Sequence, residues 1–185
     1  MRIGMIGLGR MGANMSRGVA LQVVVMGVTG VGKSTVGTQL AAAIGGRFVD
    51  ADDYHPAANV EKMRAGVPLD DNDRAPWLSA LNALLREAEA RGETTVLACS
   101  ALKDLYRRML GEGVGEFRII HLHGTRALIA ERLGLRRGHY MNPALLDSQL
   151  ATLECPGDAI VLDIAEAPEV LALAAQRALL AMEKQ

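Results

Sequence analysis

Short apolar runs alternate along the chain with longer stretches in which apolar residues recur every three or four positions. Runs of the first kind are typical of buried strands, and stretches of the second kind are typical of helices with one buried face. The strands that the pattern predicts are 21–26, 47–50, 94–99, 117–122 and 159–162. The helices that it predicts follow the first strand and then cover 56–66, 77–88, 102–110, 127–135 and 169–182. This alternation predicts an α/β fold with a five-stranded parallel sheet covered by helices.

A glycine-rich segment lies between the first predicted strand and the helix that follows it. It consists of Gly27, Val28, Thr29, Gly30, Val31, Gly32, Lys33, Ser34 and Thr35. Its spacing is that of a phosphate-binding P-loop, whose glycines let backbone N–H groups surround phosphate oxygens at a helix N-terminus. Lys33 supplies a catalytic cation for the β- and γ-phosphates, and the Ser34 hydroxyl is a ligand for Mg²⁺. The segment predicts that the chain binds a nucleoside triphosphate.

Length, charge and cysteine content exclude several classes of protein. The chain has 185 residues, enough for one α/β domain, and a formal net charge of −1. This balance predicts no nucleic-acid partner, and no apolar run approaches the about 20 residues that span a bilayer. Cys99 and Cys155 lack metal-type spacing, so we expect reduced thiols and a cytoplasmic protein that does not act on membranes.

A second glycine pattern, formed by Gly7, Gly9 and Gly12, lies in a segment that resembles the N-terminus of the 6-phosphogluconate dehydrogenase family. A dinucleotide site needs a helix, a second strand and an acidic residue about 20 positions after the glycines. Here residues 13–20 are all that separates the glycines from the next strand, and the P-loop occupies the place of the acidic residue. We therefore expect residues 1–20 to be an appended segment without NAD(P) binding, and 21–185 to form the functional domain.

Acidic and polar residues follow the second predicted strand. Asp50 and Asp52 stand at its carboxyl end, the edge at which parallel α/β sheets bind ligands. A phosphoryl acceptor needs a carboxylate that orients it and accepts its proton, and a metal needs oxygen ligands. His55, Asn59 and Lys62 are spaced to share one face of the following helix. That face suits a polyhydroxy acid, but the same spacing also fits an ordinary solvated helix surface.

Four blocks of residues occur in order between positions 22 and 165. The first is Asp50-x-Asp52 with His55-Pro56, Asn59 and Lys62-Met63. The second is Gly66-x-Pro68-Leu69-x-Asp71-x-Asp73-Arg74-x-Pro76-Trp77-Leu78, and the third is Cys99-Ser100-Ala101-Leu102-Lys103 with Tyr106-Arg107. The fourth is Arg137-Gly138-His139-Tyr140, followed by Ser148-Gln149 and Leu153-Glu154. Together these blocks resemble bacterial-type gluconokinases, a family of P-loop small-molecule kinases.

The resemblance implies a three-layer α/β/α P-loop kinase that uses ATP and Mg²⁺ to phosphorylate D-gluconate on its terminal hydroxyl, commonly as a homodimer. It implies that Asp52 is the catalytic base, and that Ser34 and Asp50 hold the metal. No acidic residue ends the strand 94–99, where many P-loop enzymes carry a metal-binding Asp, because Ser100 stands there. The implied substrate-binding residues are Asp52, His55, Asn59, Lys62, Arg74, Lys103, Arg107 and His139.

A basic cluster surrounds the end of the helix predicted at 127–135. It contains Arg132, Arg136, Arg137 and His139. In small-molecule kinases such a segment forms a lid that closes over the triphosphate and excludes water. We predict that Arg132 binds nucleotide and that Arg136 is catalytic. Which arginine reaches the phosphate stays open, and the cluster also fits an ordinary solvated helix surface.

Three other functions compete with this one. The first is a kinase of another small hydroxy acid, similar to shikimate kinase. The second is a nucleotide-binding regulator without turnover, which the presence of Lys33, Ser34, Asp50 and Asp52 disfavours. The third is a dehydrogenase, which would rest on residues 7–12 alone.

Overall fold

The computed structural model describes residues 20–134 and 143–182. Within them lie five strands: β1 (Leu21–Met26), β2 (Arg47–Asp50), β3 (Thr95–Ala98), β4 (Glu116–His123) and β5 (Ile160–Asp163). They form a parallel sheet in the order β2-β3-β1-β4-β5. The predicted five-stranded parallel sheet is therefore confirmed, and β1, which carries the P-loop, is its central strand.

Helices cover both faces of the sheet. In the described residues they are α1 (Lys33–Ile44), α2 (Ala57–Arg64), α3 (Asp71–Ala90), α4 (Asp104–Gly111), α5 (Arg126–Gly134), α6 (Pro143–Thr152) and α7 (Pro168–Met182). A short 3-10 turn, Ala51–Tyr54, connects β2 to α2.

Side chains of β1 alternate between two apolar cores. Val23 and Val25 pack with residues of α1, α5, α6 and α7 on one face. Val24 and Met26 pack with residues of α3 and α4 on the other face. Every residue of β1 is buried and all but Gln22 are apolar, as expected for a parallel sheet covered on both sides; Gln22 donates from Nε2 to the carbonyl oxygen of Glu93 at 2.9 Å. The three-layer α/β/α architecture is confirmed.

Three helices differ from the sequence prediction. α3 begins at Asp71 and not at Trp77, because Asp70 and Asp73 form a capping box that starts the helix before Pro76. α4 begins two residues later than predicted, because its N-cap Lys103 has an extended backbone, with φ −94° and ψ 149°. α6 was not predicted at all.

No helix among residues 20–134 and 143–182 has both the length and the apolar character needed to cross a bilayer.

Candidate active site

The P-loop has the backbone geometry that phosphate binding needs. Gly27, Gly30 and Gly32 have φ values of 140°, 85° and 93°, which L-residues with side chains rarely adopt. A Cβ atom at Gly27 would lie 2.5 Å from the carbonyl oxygen of Leu122, so the loop also approaches β4 too closely for any other residue. Gly32 is the N-cap of α1, and the N-terminal N–H groups of that helix therefore border the loop. These residues fit the phosphates of a nucleotide.

Lys33 folds back over the same loop. Its Nζ donates a hydrogen bond to the carbonyl oxygen of Val28 at 3.1 Å. The ammonium group is thus held at the loop, in a position to contact the phosphates of a bound nucleotide.

Ser34 and Asp50, the two predicted metal ligands, are in contact. The Ser34 Oγ donates to Asp50 Oδ2 at 2.7 Å, and Asp50 Oδ1 accepts the N–H of Asp52 at 3.1 Å. The strand that ends at Asp50 is not adjacent to the strand of the P-loop, because β3 lies between β1 and β2. The pair forms because Ser34 stands in the first turn of α1, which reaches across β3. A hydroxyl and a carboxylate are ligands that suit Mg²⁺, so these two residues fit that ion.

Asp52 has a different environment although it stands only two residues further on. Its side chain is 88% exposed, and Oδ1 lies 3.9 Å from Nε2 of His55. An exposed carboxylate beside the Ser34–Asp50 pair is accessible to an acceptor hydroxyl.

His55 is held against an aromatic ring. Its imidazole stacks on Trp77 with ring centroids 4.2 Å apart, and Trp77 Nε1 donates to the carbonyl oxygen of Ala51 at 2.8 Å. Burial lowers the pKa of His55; Asp52 opposes this shift and Arg74 adds to it. Its Nδ1 has no hydrogen-bond partner among the described residues. The lowered pKa favours the neutral form of the ring, and Nδ1 is buried without a partner in the described part of the chain.

We predicted that Asn59 and Lys62 share a helix face with His55. This prediction is wrong, because α2 begins at Ala57 and His55 precedes it. They face the first turn of α3 instead. Asn59 is buried and its Nδ2 donates to the carbonyl oxygen of Asp73 at 2.8 Å. Lys62 Nζ pairs with Asp73 Oδ1 at 2.6 Å, and this bond raises the pKa of Lys62 and lowers that of Asp73.

Lys103 and Arg74 both lie near the ring of one tyrosine. The Lys103 Nζ and Arg74 Cζ atoms stand 5.5 and 5.7 Å from the ring centroid of Tyr106. Asp71 binds Lys103 Nζ through both carboxylate oxygens at 2.7 and 2.8 Å and also accepts the Tyr106 hydroxyl. The hydrogen bond from Lys103 is the main cause of a lowered pKa at Asp71.

Sequence reasoning assigned no role to Asp71 or Tyr106. The only signal was their position in the blocks that resemble gluconokinases, since 35 residues separate the two in sequence. Together with Asp73 they hold the side chains of Lys62, Lys103 and Arg74 on one side of the site.

The surroundings of Arg107 are those of a structural residue and not of one that binds substrate. It is buried, and its Nη1 donates to the carbonyl oxygens of Ala101 and Leu102, each at 3.1 Å. These bonds give it a structural part in shaping the loop after β3; its predicted contact with substrate stays a prediction.

The predicted lid lies partly outside the described residues. Arg132, in α5, donates from Nη2 to the carbonyl oxygen of Ile164. Arg136, Arg137 and His139 lie outside the described residues, so their predicted roles stay predictions.

The fold and the site together define a P-loop kinase of the small-molecule type. A model of the AAA domain family matches residues 23–156. A gluconokinase of Gluconobacter oxydans is 50% identical over 135 residues, covering 73% of this chain and 76% of that protein. The crystal structure of a gluconokinase from Sinorhizobium meliloti superposes with a TM-score of 0.77 at 41% identity, covering 87% of this chain and 94% of that one. The chain belongs to the gluconokinase family.

A shikimate kinase from Acinetobacter baumannii shares the fold alone. It is 18% identical with a TM-score of 0.55, over 90% of this chain and 96% of that one.

Proposed function

We propose that this protein transfers the γ-phosphoryl group of ATP to the terminal hydroxyl of D-gluconate, giving 6-phospho-D-gluconate, with Mg²⁺ as cofactor. The observation that carries the proposal is the contact of Ser34 with Asp50 at 2.7 Å. It joins the P-loop to the segment of Asp52, so that the groups for the phosphoryl donor and for the acceptor border the same place. The family of the chain supports the choice of gluconate.

On the donor side, the P-loop N–H groups and Lys33 bind the phosphates. They are positioned before the nucleotide arrives, so little reorganisation is needed as charge develops on the transferring group. Ser34 and Asp50 would hold Mg²⁺, which when bound supplies neutralising charge at the phosphate oxygens. Arg132 and Arg136 would add further positive charge from the lid.

On the acceptor side, Asp52 orients the terminal hydroxyl and accepts its proton as the oxygen attacks phosphorus. Its exposed carboxylate is available for this role, whereas both carboxylate oxygens of Asp50 already accept hydrogen bonds.

Lys62, Arg74 and Lys103 favour an anionic acceptor. Two of these cations are paired with Asp73 and Asp71, which holds their long side chains in place before substrate binds. The carboxylate of gluconate would bind among them, with His55, Asn59, Arg107 and His139 as further contacts. Pre-ordered side chains lose less entropy on binding, which favours the binding of an anionic acceptor.

The test is an assay of ADP release by the intact chain with gluconate, with shikimate and without acceptor, and with the product identified by phosphorus NMR. We expect gluconate to give rapid turnover and a phosphate monoester, and the other two conditions to give background rates. The variant Lys33→Ala supplies the background, because loss of its charge removes several kcal/mol of transition-state stabilisation.

Turnover with shikimate but not with gluconate would show that the protein is a kinase with a different acceptor. Equal ADP release in all conditions would indicate an ATPase or a regulator. The predicted homodimer and cytoplasmic location are separate expectations, which light scattering and cell fractionation would test.

A further inference from the structure

Gln149 contacts the P-loop from outside it. Its Oε1 accepts the backbone N–H of Thr29 at 2.7 Å, across 120 residues of sequence. A backbone N–H of the phosphate-binding loop is therefore held by a side chain of α6. Because a peptide plane is rigid, this bond fixes the orientation of the peptide group between Val28 and Thr29.

Glu154 makes an equivalent contact on the acceptor side. Its Oε2 accepts the N–H of Asp104 at 2.6 Å, and its own N–H donates to the carbonyl oxygen of Leu102 at 2.9 Å. These two bonds enclose Lys103, the N-cap of α4 and one of the acceptor-side cations. A carboxylate at the first turn of a helix is also favoured by the helix dipole.

The segment between them, residues 149–154, is anchored firmly. Leu146, one turn earlier in α6, is 1% exposed, and Leu150 and Leu153 pack against the core. Asp147 binds Arg126 of α5 through both carboxylate oxygens, at 2.6 and 2.9 Å. We refer to residues 149–154 as the connecting segment. Its anchors make it a rigid link between the donor loop and the acceptor loop.

We propose that Gln149 and Glu154 are positioning residues, which set the P-loop and the Lys103 loop at the separation that phosphoryl transfer requires. Neither is placed to touch the reacting atoms; each acts through the loop that it binds. The inference rests on the proposed function, because the step to be measured is transfer to gluconate. Small errors in the placement of reacting groups cost up to about 100-fold in rate, so two hydrogen bonds at this position are sufficient to matter.

The experiment measures kcat and both KM values for Gln149→Leu, Glu154→Ala and the double variant, with melting temperatures for each. Glu154→Gln retains a hydrogen-bond acceptor and is the conservative variant. Ser148→Ala, at an exposed position of the same helix, is the matched control. Hydrogen exchange of the P-loop amides in the nucleotide-free protein adds a readout that does not depend on the acceptor.

We expect each single disruption to lower kcat by about 10-fold with KM values within about 3-fold, the pattern of an interaction that acts on the transition state. Glu154→Gln and Ser148→Ala should be close to wild type. The double variant should lose less than the product of the single losses, because both residues act through one segment. Exchange at the Thr29 amide should accelerate in Gln149→Leu alone among the single variants.

An unchanged kcat in Gln149→Leu or Glu154→Ala, a rise confined to KM, or a multiplicative double variant would overturn the proposal. A wild-type protein that phosphorylates another hydroxy acid but not gluconate would overturn the proposed function instead. The same variants would then be compared with that acceptor, so the two failures are distinguishable.

Discussion

Asp50 and Asp52 show how two carboxylates of one short segment acquire different uses. Asp50 accepts hydrogen bonds at both oxygens, from the Ser34 hydroxyl and from the backbone of Asp52. Asp52 has its carboxylate in solvent, with the nearest charged group of opposite sign being His55 when protonated. The first environment orders a carboxylate as a fixed ligand, and the second leaves it able to meet an incoming hydroxyl.

We predict that Asp52→Asn lowers kcat for gluconate phosphorylation by at least about 100-fold, because an amide cannot accept the proton of the attacking hydroxyl. The affinity for ATP should change little, since the P-loop and Ser34 are untouched. Steady-state kinetics and nucleotide titration measure the two quantities. Asp53→Asn, at the next residue of the same 3-10 turn, is the control and should remain active.

The opposite result would reassign the two residues. If Asp52→Asn keeps its kcat at saturating Mg²⁺ and needs only a higher Mg²⁺ concentration, Asp52 is the metal-side group and Asp50 is the base.

Local sequence was sufficient for some site residues and not for others. Lys33 and Ser34 follow directly from the spacing of the glycine loop. The pairs Asp71–Lys103 and Asp73–Lys62 join residues 32 and 11 positions apart, so only the packed structure brings them together. Arg107 was predicted by resemblance, and its burial against Ala101 and Leu102 could not be deduced from its position in the sequence.

At the level of elements, the first turn of α3 organises the acceptor side. The Asp70 side chain accepts the N–H of Asp73 at 2.8 Å, and the Asp73 side chain accepts the N–H of Asp70 at 3.1 Å. Asp71, Asp73 and Arg74 all belong to this turn or follow it directly, so the cap that starts the helix also sets the partners of Lys62 and Lys103.

We predict that Asp70→Ala lowers the free energy of unfolding by about 1 kcal/mol, the usual cost of losing an N-cap side chain. The KM for gluconate should rise while the KM for ATP is retained, because the loosened turn carries acceptor-side groups only. Urea unfolding and steady-state kinetics measure both effects. Ser79→Ala, in the exposed middle of the same helix, is the control and should leave the KM values unchanged.

An equal KM for gluconate in Asp70→Ala and Ser79→Ala would show that the capping box contributes to stability without ordering the acceptor site.

The strands were predictable and some helix limits were not, for one physical reason. A central parallel strand is buried on both faces, so its sequence is almost entirely apolar, as in β1, where Gln22 is the one polar residue. The start of α3 depends on a side-chain cap at Asp70, while its apolar periodicity begins only at Trp77. α6 has a weak periodic signal because Leu146 is its only fully buried described residue, Leu150 is only partly buried, and Asp147 and Gln149 make specific hydrogen bonds.

On the scale of the whole molecule, two histidines with buried side chains link stability to pH. Burial is the main cause that lowers the pKa of both His55 and His121 from the usual histidine value of 6.5. At His121 the neighbouring His123 and Arg107 add to the effect. In the window just below pH 6.5 the unfolded chain therefore binds more protons than the folded one, and stability falls as pH falls.

We predict that the melting temperature is constant above about pH 7 and declines between pH 6.5 and 5, where these histidines protonate in the unfolded state. His121→Asn should reduce the steepness of that decline, whatever its effect on the melting temperature at pH 8. The lowered pKa values of Asp71 and Asp73 affect the stability of the fold in a separate pH window. The stabilisation that these ionised carboxylates contribute is lost only as pH falls below about 4. Thermal scans across this range measure the slope, and an unchanged slope in His121→Asn would contradict the assignment.

The division of the chain at its N-terminal side can also be tested. The sheet begins at Leu21, and the family model matches from residue 23. Ala20 is buried at 7% exposure, so a deletion that respects the domain ends at residue 19. Residues 1–19 lie outside the described residues, and the glycines at 7–12 lack the second strand and the acidic residue that a dinucleotide site needs.

We predict that removal of residues 1–19 leaves gluconate phosphorylation within about twofold and changes the melting temperature little, as is usual for terminal segments with few buried contacts. Titration of the intact chain with NADP should show no saturable binding. A deletion that also removes Ala20 and Leu21 is the control, and it should unfold at a lower temperature because both residues are buried and Leu21 pairs with Glu116 of β4. Saturable NADP binding that disappears when residues 1–19 are removed would instead establish a second nucleotide site in this chain.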